Sequence, residues 1–462
     1  MWPRPSSPAA FAARRQRLQA RLKSPALVVS GYARSRNFPA NRYPYRAESH
    51  FLYLVGAPLE GAALLVTPER AVLFAEPPDP EEALWSGAQP SLEQLGSDLG
   101  IEVRPIDELR LTEPVALLPP QDRETANWVE SIAHRPVDSG GGNELEGADA
   151  ALADAFIELR LRHDAAAVDQ LREAARVTAL AHREGMRATR AGVRECVVRA
   201  AMEAAIIASG MTTSYGSIVT VHGEVLHNER HDGLLAAGDL LLADVGAETP
   251  EGWAGDVTRT WPVSGKLSPS QRDVYEVVLA AQAAAIAAVR PGESYREIHR
   301  IAGRTLVRGL TDLGLLRGDP HDLYERGAAA LFFPHGIGHL LGLDVHDMED
   351  LGDRAGYAPG RTRSASRGDR YLRLDRELEP GMCVTIEPGF YRIPFILDDP
   401  KEVGDLADAL DRDVLARLAD VRGIRIEDDV LVTETGAEVL TAEIPKAASD
   451  VEALVGAGGR AG

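Results

Sequence analysis

Residues 241–260 read LLADVGAETPEGWAGDVTRT, and two aspartates in that stretch decide how the rest of the chain is understood. Asp244 closes the apolar run Leu240-Leu241-Leu242-Ala243, and Asp256 opens the alternating run Val257-Thr258-Arg259-Thr260-Trp261. Both runs have the composition of strands, one buried on both faces and one alternating. A carboxylate at the end of a buried strand must be paired, protonated or bound to a cation, because bare burial of its charge costs several kcal/mol or more.

The pattern recurs. GDLLLADVG, from Gly238 to Gly246, lies over GMCVTIEPG, from Gly381 to Gly389: glycine, a mostly apolar run, a carboxylate, one residue, glycine. Each copy is followed by a strand-like run carrying a second acid, Asp256 in WAGDVTRTWPV and Glu427 in GIRIEDDVLV. The C-terminal part thus reads as two related half-units, each offering one carboxylate from each of two strands. Four carboxylates brought together raise one another's pKa and cannot all stay ionised without a cation. Asp244, Asp256, Glu387 and Glu427 together therefore point to divalent metal. Hard oxygen donors favour Mn, Mg or Ca, and an added imidazole moves the choice toward Mn, Co, Fe or Zn.

FFPHGIGHLLGLDVHD supplies imidazoles at His335, His339 and His346. The glycines at 336 and 338 argue against a helix, so this is not a helical zinc motif; they let backbone approach a ligand. His227, in GEVLHNERHDG, is a fourth candidate, whereas neighbouring His231 is expected to face water.

The whole chain sets bounds. Its 462 residues are 45% hydrophobic and 26% charged, enough for two or three domains with a sizeable core. A net charge of -20 argues against a nucleic-acid partner, which would require a basic face. Two distant cysteines, Cys196 and Cys383, supply neither a disulfide framework nor a thiolate cluster and suggest a reducing compartment. No apolar run approaches the ~20 residues that span a bilayer, and the N-terminus has no signal-like apolar core. A cytoplasmic protein without membrane association is expected. Residues 11–22 read as a basic amphipathic helix, followed by strand-like runs at 26–29, 51–55, 62–66 and 71–74. The glycines of DSGGGNELEGADAALADAF interrupt the pattern, which places a boundary near Gly147: an α/β N-terminal domain over 1–147 and a longer, helix-richer domain over 148–462. In the latter, 165–187 has helical spacing, Ser268-Pro269 starts a helix, and Ser294 with Glu297 forms a capping-box signature.

DVGAETPEGWAGD, HGIGH, TIEPG and RIEDD resemble, in order, the metal-binding segments of the Xaa-Pro peptidases, prolidase and aminopeptidase P, within the pita-bread metallopeptidases. YPYRAESHFLYLVG and LWSG are similar to that family's N-terminal domain, so the likeness covers nearly the whole chain. It implies an α/β (α+β) protein whose N-terminal domain precedes a pseudo-twofold pita-bread catalytic domain. It further implies two divalent ions, Mn foremost with Co or Zn also compatible, held by Asp244, Asp256, His339, Glu387 and Glu427. Asp256 and Glu427 would bridge both ions, Asp244 would bind one, and His339 with Glu387 the other. Glu387 would shuttle the proton and His346 would stabilise the oxyanion; His227, His335 and Arg425 would face the substrate. Two departures stand out: VTVHGEVLHN replaces the glycine- and serine-rich run usual before His227, and RLRHDAAAVDQL is a loose form of the usual helix start.

The halves disagree on subtype. YPYR is closer to aminopeptidase P, whereas insertions over 349–379 and 394–421 look like prolidase. In RLDRELEPGMCVTIEPGF the likeness extends to an arginine for the substrate carboxylate, here Arg373; the alternative is an exposed arginine paired with Asp375 or Glu377. On this ground a dipeptidase acting on Xaa-Pro dipeptides is preferred, with aminopeptidase P acting on longer peptides as the alternative and a non-catalytic binding module as a remote third. The family implies a homodimer or homotetramer, in which Trp85 of LWSG either reaches a neighbouring subunit's site or is a core tryptophan.

Overall fold

The computed structural model describes residues 5–139, 142 and 144–456. The chain divides into two compact units, one of residues 1–168 with 250–252 and 348–355, the other of the remainder. The division falls after Val168, beyond the break read at Gly147. The reason is local: α5 (Gly147–Arg160) buries Phe156, Leu159 and Arg160 within the first unit, and Arg14 there is paired with Asp164 at 2.8 Å. Of the glycine-rich break itself, Gly140, Gly141 and Asn143 lie outside the described residues.

The first unit is a mixed sheet with helices. α1 (Pro8–Gln19) is followed by β1 (Ala26–Val29), α2 (Ser49–Val55), β2 (Ala63–Val66), β3 (Ala71–Ala75), α3 (Leu92–Leu99), β4 (Glu102–Pro105) and α4 (Arg123–Ala133). The sheet order is β1-β2-β3-β4, antiparallel except for the parallel last pair. Leu27, Val29, Val72, Phe74 and Val129 fill its core. The run 51–55, expected as a strand, is helix. It is buried on every side, so no polar residue marks its period, and Gly56 in the left-handed region at φ 74° ends it.

The second unit carries α6 (Ala165–Ala188), α7 (Glu195–Ala208), β5 (Ile218–Thr220), β6 (Leu240–Asp244), β7 (Thr258–Pro262), α8 (Pro269–Ala288), α9 (Tyr295–Asp312), β8 (Cys383–Ile386), β9 (Gly389–Tyr391), β10 (Gly423–Arg425), β11 (Asp428–Val432) and β12 (Ala437–Val439). Two three-stranded antiparallel sheets form, β7-β6-β5 and β8-β11-β12. The repeated motifs are the β6–β7 and β8–β11 pairs, with Thr258 opposite Asp244 in one and Asp428 opposite Ile386 in the other. Val177, Met202, Ile206, Val219, Leu241, Ala243 and Trp261 make the core between β6 and the helices.

Ser268 and Gln271 form the full reciprocal capping box, each contact at 3.1 Å. Ser294 does not: its side chain makes no cap bond, and the Glu297 side chain, which would complete the box, pairs with Arg304 two turns on.

Candidate active site

The two strand pairs end at the same place. The amide of Glu427 donates to the Thr258 carbonyl at 3.0 Å, and Thr260 Oγ1 donates to the Arg425 carbonyl at 3.1 Å. This splice of β7 against the β10–β11 segment brings the second acid of each half together, with the Asp256 amide donating to Asp429 Oδ2 at 3.2 Å. At Gly338, φ is 152° and a Cβ would collide with the Thr385 carbonyl, so glycine alone lets HGIGH lie against β8. That contact delivers His339, whose amide donates to Thr385 Oγ1 at 3.2 Å.

Asp256, His339 and Glu427, all buried, offer ligand atoms within 4.8 Å of one another. His339 Nε2 lies 3.2 Å from Asp256 Oδ2 and 3.7 Å from Glu387 Oε1. Its Nδ1 sits 2.8 Å from the Leu340 carbonyl and acts there as donor, which turns Nε2 toward the cluster. Thr258 Oγ1 donates to Glu427 Oε2 at 2.7 Å. Asp244 receives Tyr215 OH and Arg425 Nη2, each at 2.5 Å.

The electrostatics ask for a cation. Burial, then repulsion from Asp256 and the other acids, pushes the Glu427 carboxyl well up. Burial likewise pushes Glu387 up to about 7 against the pull of His339 and Arg425. Burial raises Asp244 although Arg425 opposes it, while Asp256, equally buried, is held down by His339. Buried acids that resist ionisation together, around an imidazole whose Nε2 can exchange its proton for a cation, have the donor chemistry that fits divalent metal.

The remaining candidates line the same cavity, of about 980 Å³: His227, His335, His346, Arg373 and Arg425. Arg425 Nη1 donates to Tyr391 OH at 3.1 Å, and Tyr391 OH in turn donates to His335 Nε2 at 2.9 Å. His335 Nδ1 is 2.8 Å from the Gly336 carbonyl, and burial pushes this imidazole down to about 3. It is therefore a neutral ring with a fixed tautomer. His346 lies at φ 61°, an uncommon conformation for a residue with a side chain, and its ring centroid is 4.2 Å from that of His339. His227 rides on the loop 221–233, both ends of which are pinned by one buried carboxylate. Glu195 accepts from the Val221 amide at 2.7 Å and the Gly233 amide at 2.9 Å. His231, expected to face water, is half-buried, with Nδ1 3.4 Å from the Val219 carbonyl. Asp375 and Glu377, the partners considered for Arg373, are both held by Arg361, and Asp375 also by Arg296.

Tyr215, Tyr391, Glu195 and Asp429 went unmarked in the sequence. Each acts through a contact distant in sequence, and a lone tyrosine has no spacing to betray it. Asp429 alone left a trace, as the second acid after Glu427 in RIEDD.

Such a donor set, in a cavity at the end of paired strands, defines a metal-dependent hydrolase of the pita-bread class. The chain belongs to metallopeptidase family M24, in the Xaa-Pro peptidase group: the family's model matches residues 169–434, and that of the aminopeptidase P N-terminal domain matches 11–117. Among its relatives, the Xaa-Pro aminopeptidase of Haemophilus influenzae is 33% identical over 96% of each chain. A probable Xaa-Pro aminopeptidase of Talaromyces stipitatus is 34% identical over 89% of this chain and 88% of its own. Aminopeptidase PepP of Pseudomonas aeruginosa superposes with a TM-score of 0.79 at 31% identity, over 98% of this chain and 99% of the other. Escherichia coli aminopeptidase P, solved with the inhibitor Pro-Leu, gives 0.80 at 29% identity, over 99% and 100%. The preference for prolidase finds no support here. It rested on two insertions and one arginine, whereas likeness along the full length falls on aminopeptidases P.

Proposed function

We propose that the protein is an Xaa-Pro aminopeptidase, releasing the N-terminal residue from peptides whose second residue is proline. The observation that carries this reading is the convergence of Asp244, Asp256, His339, Glu387 and Glu427 at the buried end of a cavity of about 980 Å³, near the upper end of the usual ~300–1,000 Å³ for small-ligand sites. Similarity over the whole chain to proteins named Xaa-Pro aminopeptidase supports the choice over a dipeptidase.

Those five residues would hold two divalent ions, Mn foremost. When bound, such ions supply Lewis acidity for water and for the scissile carbonyl. The chain's own groups do the rest. Glu387 accepts the proton of the attacking water and returns it to the proline nitrogen, which leaves as a secondary amine and must gain a proton. His346 donates to the developing oxyanion, a contribution of the preorganised-donor kind. His335, neutral and fixed by Tyr391, and His227, on its pinned loop, orient the peptide. Arg425 neutralises and positions Asp244, and Arg373 meets carboxylate further along the substrate.

The test is the ratio of kcat/KM for Ala-Pro-Ala and Ala-Pro with Mn present. The tripeptide should be the better substrate, and exhaustive chelation should abolish both reactions until Mn or Co is restored. A clear preference for Ala-Pro would return the assignment to prolidase, and full activity in demonstrably metal-free enzyme would end the metal-dependent reading. Among the described residues no helix is long and apolar enough to cross a membrane. The same reading carries a cytoplasmic location and a homodimer or homotetramer, with Trp85, 82% exposed, a candidate for contact with a second subunit.

A further inference from the structure

The cavity's outer rim differs in charge from its floor. Residues 361–376, RTRSASRGDRYLRLDR, hold six arginines and two aspartates in a chain of net charge -20. Both aspartates are buried and committed: Asp369 to Arg300 at 2.8 Å, Asp375 to Arg361 and Arg296. Arg363, Arg367, Arg370 and Arg373 line the cavity, and among the described residues the carboxylates lining it beyond the four metal-facing acids are Glu229 and Glu402. Arg367 reaches Glu402 at 3.4 Å, tying this segment to the one that carries Phe395. Arg370 lies 4.7 Å over the exposed ring of Tyr371, and Arg363 Nη1 donates to the Leu372 carbonyl at 3.0 Å. The rim thus has a surplus of positive charge, backed by the aromatic surfaces of Tyr371 and Phe395, both open to solvent.

We propose that Arg363, Arg367 and Arg370 form a carboxylate-selecting wall that makes short acidic peptides the preferred substrates. The proposal rests on the aminopeptidase reading and adds the substrate class. Arg363 and Arg370 are exposed whereas Asp244, Asp256 and Glu427 are buried, and on this proposal the wall meets residues downstream of proline. Guanidinium groups suit this task because their planar donors match a carboxylate and their faces stack on aromatic rings. The carboxylate is either the C-terminus of a short peptide or an acidic side chain.

Four peptides separate these sources: Ala-Pro-Ala-Ala, its C-terminal amide, Ala-Pro-Glu-Glu-amide and Ala-Pro-Lys-Lys-amide. In the wild type at low ionic strength, kcat/KM for the glutamate peptide should exceed that for the lysine peptide by about 10-fold, mostly through KM, because the contact is made equally before and at the transition state. A matching gap between free acid and amide would identify the C-terminus as a second source. In Arg363→Gln/Arg367→Gln/Arg370→Gln the glutamate-to-lysine ratio should fall to within about twofold of one, and 0.5 M salt should shrink the wild-type ratio. Should the triple variant fail to fold, Arg370→Glu at the exposed position should lower the same ratio. A wild-type ratio near one, or a ratio unmoved by the substitutions, overturns the inference alone. Failure of the wild type to cleave any Xaa-Pro peptide overturns the aminopeptidase reading as well.

Discussion

Asp428 binds no metal in this reading, yet its replacement by Asn should be among the most damaging single changes in the protein. The side chain is wholly buried and its oxygens receive four donors: Arg259 Nη2 at 2.6 Å and Thr441 Oγ1 at 2.8 Å on Oδ1, Gln282 Nε2 and Lys446 Nζ, each at 2.6 Å, on Oδ2. Burial works against the charge, but Arg259 and Lys446 prevail and hold the carboxyl below its ordinary range. Asn keeps the shape, removes the charge, and turns one acceptor oxygen into an NH2 facing two donors. It also strands Arg259, itself fully buried, whose guanidinium grips the backbone carbonyls of Glu427, Ile444 and Pro445. Breaking a buried ion pair by removing one partner costs ~3–5 kcal/mol. Lys446→Met should cost only ~1 kcal/mol, since that side chain is 29% exposed and Arg259 remains in place. Urea denaturation of the metal-free protein, followed by the fluorescence of Trp253 and Trp261 in the second unit, measures both. A loss below ~1 kcal/mol for Asp428→Asn, or equal losses for the two variants, would refute the reasoning.

Two further outcomes are expected. Glu387→Gln keeps size but removes the proposed proton carrier, so turnover should fall ~10²–10⁴-fold in enzyme shown to retain both ions; near-normal turnover would end that role. Burial pushes His182 down to about 3 and leaves a neutral ring bonded to the Val245 carbonyl at 3.0 Å. The unfolded chain takes up that proton near pH 6.5, so its stability contribution is complete above that pH and is lost as pH falls toward 3. At pH 5 the loss should be about 2 kcal/mol, and His182→Phe should flatten the pH dependence of stability over that window; an unchanged slope would exclude His182 as its source.

What could be read from the sequence follows from where the information lies. The acids that close β6 and follow β8 are legible because each ends an apolar run, where an unpaired carboxylate is costly and stands out. Helix α2 was not, because FLYLV is apolar throughout and a wholly buried segment shows neither the helical nor the strand period. Ser294 and Glu297 carried the right spacing, but a motif cannot reveal that Arg304 competes for the glutamate. The subtype is not legible locally for a similar reason: Arg373 and the insertions are local features, and the similarity to aminopeptidases P is spread along the full chain.

The contacts that hold the acids have a pattern of their own. Asp244, from the first strand pair, is gripped by Arg425 of the second; Glu427, from the second, accepts from Thr258 of the first; and the Asp256 amide is held by Asp429 across the same seam. Neither half can orient its acids alone, since Asp244, Asp256 and Glu427 are each held by a partner from the other. The repeated motif therefore specifies one composite site, and the acids gather there only once β7 and the β10–β11 segment are in register. Burial of the acids, and for Glu427 repulsion from its neighbours next, opposes that docking in metal-free protein and pushes the Glu427 and Glu387 carboxyls up. A cation that relieves the repulsion stabilises the register itself, so metal affinity and the stability of the second unit are two readings of one free energy.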